Sequence, residues 1–464
     1  MIFESFLLNF TVAFGLILAL TFDYVTKFFS YWYVRHVAYK TAVPFYGSDY
    51  HRILGLRSNT DEINALYKQF PKEDLVGSIK SRIPDLTVKD PDLIKKVLST
   101  AFENFQSRGV DLCKSQDVCI RDNLFYADGG KWTVLREGFE TLLNDTTCVD
   151  DCLFECLKGT NGDANVQEML SKVLDAVFEN MLFGDINGDS VKELRSGLQS
   201  RSLLDKYKNY LKTIFPSIYV LLGFVTLSGQ PTKQVTDRIT KSNLIKKVES
   251  SFQFEKDANK NLKSKPDAVA LGVVTTFINE GYIPCLNLLT CLCYELSKNE
   301  KLQTKARESE EYLEAVIKET LRLYPTHSVI TRKCVKSYKF PELNDNKVLI
   351  DRDITINVPV EALHRDNEHF KEAAVFNPDR FVNEIGHSYT YLPFGAGPRK
   401  CVGEQLSLQI IRLVARNVLQ SFRIGTTNKT PDSLKRVDHN FGRIVAQDLW
   451  LKFTATNWPK LEPF

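Results

Sequence analysis

The chain has 464 residues, 43% of them hydrophobic and 25% charged, which is enough apolar material for a large core. Its formal net charge of +3 is close to neutral, so the composition gives no support for a nucleic-acid-binding protein. No internal repeat, low-complexity tract or Pro/Gly-rich linker divides the sequence, which favours one large domain.

The first predicted element is an apolar helix at the N-terminus. Residues 5–22 contain no charged side chain and are long enough, with their flanks, to span a bilayer. A secretory signal peptide is the alternative, but no positive segment precedes the run and no small-x-small cleavage site stands out. We therefore predict a membrane anchor over residues 1–26, an interfacial linker over 27–47 and a single domain over 48–464.

Charges around this run predict its orientation. Glu4 precedes it, whereas Lys27, Arg35 and Lys40 follow it, and an excess of positive charge marks the cytosolic side of a membrane helix. The domain after the anchor is therefore expected in the cytosol. We also expect an aromatic belt at the membrane interface, formed by Phe28, Phe29, Tyr31, Trp32 and Tyr33.

Most of the remaining chain has helical periodicity. Residues 76–88 and 347–359 instead alternate or cluster β-branched residues, as strands do, so the fold is predicted to be mainly α with small β-sheets. The ten cysteines form no CxxC pair. Three of them, Cys148, Cys152 and Cys156, have helical spacing without a nearby His, which favours buried thiols over a zinc site.

Three segments in the C-terminal third carry the strongest pattern. Residues 312–325 have amphipathic-helix spacing closed by a proline, which puts Glu319 and Arg322 on one helical face. Such a pair alone is usually a solvated surface pair. The second segment, Phe-Asn-Pro-Asp-Arg-Phe, contains Arg380, and the third reads Phe-Gly-Ala-Gly-Pro-Arg-Lys-Cys-Val-Gly over 394–403. A cysteine in a Gly-rich turn is often an inert thiol, and a phosphate-binding loop would need a third glycine and a βαβ unit.

In this order, the three segments resemble those of the cytochrome P-450 superfamily of haem-thiolate monooxygenases. The resemblance is greatest to the animal microsomal type, in particular the insect and vertebrate xenobiotic-metabolising branch. It implies a cytochrome P-450 fold and haem b, with Cys401 as the axial iron ligand. The implied haem-binding residues are Trp132, Arg136, Arg332, Phe394, Arg399, Cys401 and Gly403, and Glu319, Arg322 and Arg380 are implied to form a buried structural network.

The resemblance also implies the surroundings of the protein. The implied location is the endoplasmic reticulum membrane, and the implied substrate is a lipophilic small molecule. The implied electron source is NADPH, through NADPH-cytochrome P-450 reductase, and cytochrome b5 is a possible second donor. Residues 214–227 are too short and broken to span a bilayer. They are either a buried helix and loop or, by resemblance, the roof of the substrate channel dipping into membrane lipid.

One departure from the family pattern affects the predicted chemistry. On the helix that crosses the distal face of the haem, Gly281 takes the place of the usual glycine, but Ile283 and Pro284 stand where the family has an acid and an alcohol. Neither side chain can relay protons. Pro284 should also kink the helix, and a rotated or bulged helix would present Glu280 as a substitute.

Three functions therefore stay open at the level of sequence. The first is an NADPH-dependent monooxygenase with Gly281 and Glu280 at the distal site. The second is a haem-thiolate isomerase or dehydratase of lipid peroxides, which needs no acid–alcohol pair. The third is a haem-binding protein with little catalysis. The basic pair Arg399 and Lys400 on the proximal side favours a reductase partner, and so the monooxygenase.

Overall fold

A computed structural model describes residues 6–43, 47–80, 83–109, 122–144, 160–184, 189–199, 204, 207, 233–252, 265–340, 348–382, 389–439 and 442–456. Helices dominate these residues, which confirms the predicted fold class. They are α1 (Phe6–Val34), α2 (Tyr50–Ile53), α3 (Asn59–Gln69), α4 (Pro91–Lys95), α5 (Phe102–Phe105), α6 (Gly129–Asn144), α7 (Val166–Phe183), α8 (Ser190–Gln199), α9 (Lys233–Lys241), α10 (Asn243–Ser251), α11 (Pro266–Thr276), α12 (Ile283–Ser297), α13 (Glu300–Glu308), α14 (Glu310–Leu323), α15 (Val360–His364) and α16 (Glu404–Ser421).

The strands form small sheets. They are β1 (Leu75–Lys80), β2 (Ile83–Val88), β3 (Gly162–Asn165), β4 (Ile330–Lys333), β5 (Tyr338–Phe340), β6 (Val348–Ile350), β7 (Thr355–Val358), β8 (Phe422–Thr426), β9 (Arg436–His439), β10 (Gly442–Val445) and β11 (Trp450–Ala455). Among the described residues, the largest sheet has the order β1-β2-β7-β4, and the smaller ones pair β3-β11-β8, β5-β6 and β9-β10. The strands predicted over 76–88 and 347–359 are β1, β2, β6 and β7.

Three short helical segments of other types lie among the described residues. Lys96–Thr100 is a π-helix after α4, Phe277–Tyr282 is a π-helix between α11 and α12, and Pro378–Phe381 is a 3₁₀ helix. We call the continuous run Pro266–Ser297 the central helix. Its mostly buried side chains belong to the larger of two apolar cores, and the smaller core lies around the four-stranded sheet.

The helix predicted over 312–325 is α14. Its N-terminus begins after Ser309, whose hydroxyl accepts a hydrogen bond from the amide of Tyr312, and it ends before Pro325. The cap and the proline therefore set the two ends that the sequence pattern indicated.

The N-terminal helix continues past the predicted end of the anchor at residue 26 and stops only at Val34. Its last turns pack on the domain that follows. Trp32 is completely buried and donates its indole N–H to the carbonyl of Ser78 at 2.7 Å, in a slot that exists because Gly77 has no side chain. The expectation that Trp32 forms part of an interfacial belt was therefore wrong, since the slot and the carbonyl supply a better partner than lipid.

Two described helical runs are long and apolar enough to cross a membrane, judged by length and composition. No residue of Leu8–Val25 is buried, whereas the central helix is 72% buried and so matches a core helix. Cys148, Cys152, Cys156 and the segment 214–227 lie outside the described residues.

Candidate functional site

The loop that carries Cys401 is shaped by its glycines. Gly397 has a φ of 71°, and a Cβ atom there would lie 1.8 Å from the carbonyl oxygen of Leu98, so only glycine fits. The amide of Cys401 donates to the carbonyl of Phe394 at 3.0 Å and closes the loop. This close packing on the Lys96–Thr100 segment holds the Cys401 thiol at the wall of a cavity.

Two opposing effects act on the pKa of the Cys401 thiol. Burial raises this pKa, whereas a hydrogen bond from the amide of Gly403 to the sulfur lowers it, and burial prevails, so that the pKa is raised to about 11. The N-terminus of α16, which begins at Glu404, also favours a thiolate. A bound cation such as haem iron would complete this arrangement, because a metal ion favours the thiolate that burial disfavours.

The cavity beside Cys401 contains about 860 Å³ of space not filled by atoms. The central helix forms one wall, the segment leading into β4 forms another, and the cysteine loop forms the floor. Most lining side chains are apolar, and the charged ones include three arginines and Glu280. The lining residues are Arg108, Phe125, Glu280, Pro284, Cys285, Leu288, Leu321, Thr326, His327, Val329, Ile330, Arg332, Leu392, Pro393, Phe394, Gly395, Arg399, Cys401, Ser407 and Ile411.

Three arginines meet at one edge of the cavity. Burial lowers the pKa of Arg108 and of Arg399 to about 10, and it lowers that of Arg332 well below the ordinary value with added repulsion from the other two. Arg399 donates to Asp128 at 2.8 Å. In the described structure, the Nε atom of each of the three guanidinium groups is buried without a hydrogen-bond acceptor.

This edge fits the propionates of a haem. Buried guanidinium groups with unused donors are costly unless an anion accepts from them. Two carboxylates on one edge of a flat macrocycle would supply the acceptors and the negative charge. Trp132 supports the cluster from behind, since the Arg399 guanidinium lies 4.8 Å from the centroid of its ring.

Arg136 and Gly403, two other residues expected at the haem, do not line the cavity. Arg136 donates to the carbonyl of Lys400 and, at 2.6 Å, to Glu140, so it holds the cysteine loop from the α6 side. Gly403 acts through its amide on the Cys401 sulfur.

The structure brings Glu319, Arg322 and Arg380 together in a buried network. Glu319 accepts from Arg322 at 2.7 and 2.8 Å, from Arg380 at 3.2 Å and from the amide of Asn377 at 2.8 Å. Arg322 also donates to backbone carbonyls such as that of Ala373. The network therefore ties α14 to the chain that leads into the cysteine loop.

The central helix lies on the other side of the cavity and carries Ile283 and Pro284, the main departure from the family pattern. Its π-helical turn, Phe277–Tyr282, lies directly before α12, whose second residue is Pro284. Because a proline cannot donate a backbone hydrogen bond to the preceding turn, the wide turn at this point accommodates Pro284 within the continuous helix, and the bulge considered from the sequence is present. Glu280 lines the cavity and bonds the Nε2 atom of His327 at 3.2 Å.

The other residues considered on this helix are placed elsewhere. A Cβ at Gly281 would meet Phe178 of α7 at 3.4 Å, and Gly281 does not line the cavity. Ile283 lines a smaller second cavity. The hydroxyls of Thr275 and Thr276 donate to the carbonyl of Gly272 within their own helix.

Sequence reasoning did not identify Arg108 or His327. Arg108 lies in a loop next to a glycine, and its cation is stacked 3.7 Å from the Phe125 ring centroid. His327 lies between α14 and β4. No periodicity or spacing marks either residue, because each reaches the cavity only through tertiary packing.

Comparison with known proteins agrees with this architecture. A model of the cytochrome P450 family matches residues 52–446. The chain is 26% identical to cytochrome P450 6B7 of Helicoverpa armigera, over 89% of this chain and 91% of that protein. It is also 26% identical to cytochrome P450 6B1 of Papilio polyxenes, over 89% and 92%, and 24% identical to cytochrome P450 9e2 of Blattella germanica, over 90% and 92%.

The matched region reaches from α2 to just beyond β10 and contains every residue of the cavity wall. It includes the cysteine loop and the buried network of α14 as well as the bulged central helix. The chain therefore belongs to the cytochrome P450 family, whose members are haem-binding monooxygenases.

Proposed function

We propose that this protein inserts one oxygen atom of O2 into a lipophilic small molecule, with electrons from NADPH delivered by a reductase and the second oxygen leaving as water. The observation that carries the proposal is the thiol of Cys401 facing a cavity with mostly apolar walls. Apolar side chains such as Leu288, Val329 and Ile411 favour a lipophilic substrate.

In this proposal the Cys401 thiolate would hold the iron of a haem, and a haem bound there would supply oxygen activation. Arg108, Arg332 and Arg399 bind its carboxylates through the donors that lack acceptors. Trp132 keeps the Arg399 guanidinium in place, and Arg136 keeps the cysteine loop closed through the Lys400 carbonyl.

The reductase would dock beside the cysteine loop. Lys400 is about half exposed and pairs with Glu404 of the following turn, and Lys131 of α6 is partly exposed and pairs with Asp122. A basic surface near the electron acceptor favours an acidic partner and speeds encounter. Cytochrome b5 would use the same surface.

We place the protein in the endoplasmic reticulum membrane with its catalytic domain in the cytosol. The apolar run Leu8–Val25, which has no buried residue, supports a membrane anchor. Deletion of residues 1–25 should release most of the protein from microsomes at high salt. Protease added outside intact microsomes should digest the full-length catalytic domain, and protection from that protease would contradict the orientation.

The central test compares two reactions of the purified protein. We expect NADPH- and O2-dependent dealkylation of ethoxycoumarin when reductase is present. Turnover of a linoleic acid hydroperoxide without reductase would instead indicate the second candidate, a peroxide isomerase or dehydratase, which Ile283 and Pro284 keep open. A haem spectrum with neither reaction would indicate a haem-binding protein with little catalysis.

A further inference from the structure

We infer that Glu280 and His327 form a proton relay that connects the second cavity to the cavity beside Cys401. The inference rests on the proposed monooxygenase function. In it, the two residues take the place of the acid and alcohol that the central helix lacks. Glu280 is the proton donor at the reaction cavity, and His327 is the residue that reloads it.

The π-helical turn presents Glu280 to the cavity. One of its carboxylate oxygens, Oε2, lies 3.2 Å from His327 Nε2. The other, Oε1, is buried and has no hydrogen-bond partner among the described residues. The Glu280 side chain is 13% exposed and that of His327 is 29% exposed, so the pair is sheltered but not closed off.

His327 is held in place from two sides. Its ring stacks on Phe125, with centroids 5.5 Å apart and planes at 26°. The preceding residue, Thr326, is fixed against β10, because its carbonyl accepts from the amide of Arg443 at 3.2 Å and would lie 1.8 Å from any Cβ at Gly442. A fixed imidazole can keep its contact with Glu280 while protons move.

The second cavity offers a polar route away from the reaction cavity. Glu280, Pro284, Thr326 and His327 line both cavities, so the pair lies at the boundary between them. Besides Ile283, Gly442 and Ile444, the rest of the second cavity is lined by four polar residues of the central helix, β9 and β10, and they are Asn279, Asn287, His439 and Arg443. Such side chains can order water, which the apolar part of the reaction cavity cannot.

The proposed transfer conserves protons and changes no oxidation state. A proton passes from Nε2 of a doubly protonated His327 ring to Oε2 of the Glu280 carboxylate and leaves a neutral imidazole with its proton on Nδ1. The carboxyl group then turns about its Cγ–Cδ bond and gives the proton to a water molecule in the reaction cavity, which restores the carboxylate. The neutral imidazole takes a proton at Nε2 from a hydronium ion delivered through the second cavity, which restores the starting state.

Other side chains of the central helix offer no equivalent route. Thr275 and Thr276 donate their hydroxyls to the Gly272 carbonyl and do not line either cavity. Ile283 and Pro284 carry no exchangeable side-chain proton. Of the described carboxylates on this helix, only Glu280 lines the reaction cavity.

The test uses the isosteric variants Glu280→Gln and His327→Gln in the full-length haem-loaded protein. Glu295→Gln is the matched control, since Glu295 is a carboxylate of α12 that bonds Tyr324 and lines neither cavity. The first measurement is the C–O stretching band of the reduced carbon monoxide complex, which reports charge and hydrogen bonding in the cavity without turnover. It should shift in Glu280→Gln and in His327→Gln but not in Glu295→Gln.

The second measurement is the share of NADPH electrons recovered in product and in peroxide, in H2O and in D2O. Glu280→Gln should lower product per electron by about tenfold or more and enlarge the solvent isotope effect, because general acid catalysis contributes about 10²–10⁴-fold where it limits a step. Glu280→Asp should restore part of the loss. His327→Gln should show a smaller loss in the same direction, and it carries the test if Glu280→Gln does not load haem.

The outcomes separate the relay from the proposed function. If the wild type forms product and Glu280→Gln couples electrons equally well, the relay is overturned and the monooxygenase stands. If the wild type forms no product with NADPH and reductase, the proposed function fails. In that case an unchanged carbon monoxide band in Glu280→Gln overturns the placement of Glu280 as well.

Discussion

The floor of the cavity and the wall opposite it differ in how closely they follow local sequence patterns. The floor, with the cysteine loop and the network of α14, is fixed by short sequence segments whose spacing sets the geometry directly. The opposite wall, the central helix, departs from its family pattern at Ile283 and Pro284 and is reshaped by a π-helical turn. Under the proposed function, the floor holds the iron ligand Cys401 and tolerates little change, whereas the proposed relay lets the wall use Glu280 in place of the family's acid and alcohol.

The largest effect on the haem spectrum should come from replacing Cys401, the proposed iron ligand. Cys401→Ser should abolish the long-wavelength Soret band of the reduced carbon monoxide complex, because serine does not supply a thiolate. Cys334→Ser is the control, since Cys334 is a free thiol buried in the core around the sheet. Retention of that band in Cys401→Ser would show that another residue is the ligand.

The next effect concerns the buried charges that support the floor. Glu319→Ala should lower the free energy of unfolding by about 3–5 kcal/mol, because it leaves the fully buried Arg322 and its neighbour Arg380 without a counter-ion. Glu314→Ala, on the same helix, removes a half-exposed pair with Arg412 and should cost less than about 1 kcal/mol. Urea unfolding followed by circular dichroism measures both, and equal losses would refute the distinction.

The loop glycines offer a matched pair of variants. Gly397→Ala should cost roughly 3 kcal/mol or more and reduce haem incorporation, because the new Cβ meets the Leu98 backbone at a positive φ. At Gly403 a Cβ would meet its nearest neighbour, Ser407 Oγ, only at 3.9 Å, so Gly403→Ala should be mild. Haem content per protein and the unfolding midpoint test this. Similar losses in both variants would mean that the steric clash with the Leu98 backbone is not the reason why residue 397 must be glycine.

Acid should weaken the floor through His364. Its Nδ1 bonds the carbonyl of Arg322 at 3.1 Å, its Nε2 accepts from the amide of Leu392 at 2.8 Å, and burial lowers its pKa to about 3. Below the ordinary histidine pKa of about 6.5 the unfolded chain binds one more proton, so stability from this group falls by about 1.4 kcal/mol per pH unit towards pH 3.

His364→Gln tests this effect through the slope of stability against pH. The variant loses stability at neutral pH, but its unfolding free energy should fall less steeply than that of the wild type as the pH drops below about 6.5. Denaturant titrations at several pH values measure the difference. Parallel curves would show that His364 does not carry the acid sensitivity.

Local sequence was informative where a geometry follows from a few adjacent residues. The glycines around Cys401, Pro325 beyond α14, and the uncharged N-terminal run all belong to this class. Sequence was silent on Arg108 and His327, whose positions depend on packing between distant segments. Trp32 lies between these cases, because an aromatic residue near a membrane helix is equally compatible with lipid and with the slot over Gly77.

The smallest effect is expected from restoring the family residues on the central helix. Ile283→Glu with Pro284→Thr should give no gain in product per NADPH, because residue 283 lines the second cavity and not the reaction cavity. The new carboxylate would face Arg443 and Asn287, and only the threonine hydroxyl would enter the reaction cavity. Removal of the proline also allows the bulge to relax into a regular helix, which would turn Glu280 away. Coupling should then stay equal or fall, and a clear rise would show that this wall, like the floor, is governed by the family pattern.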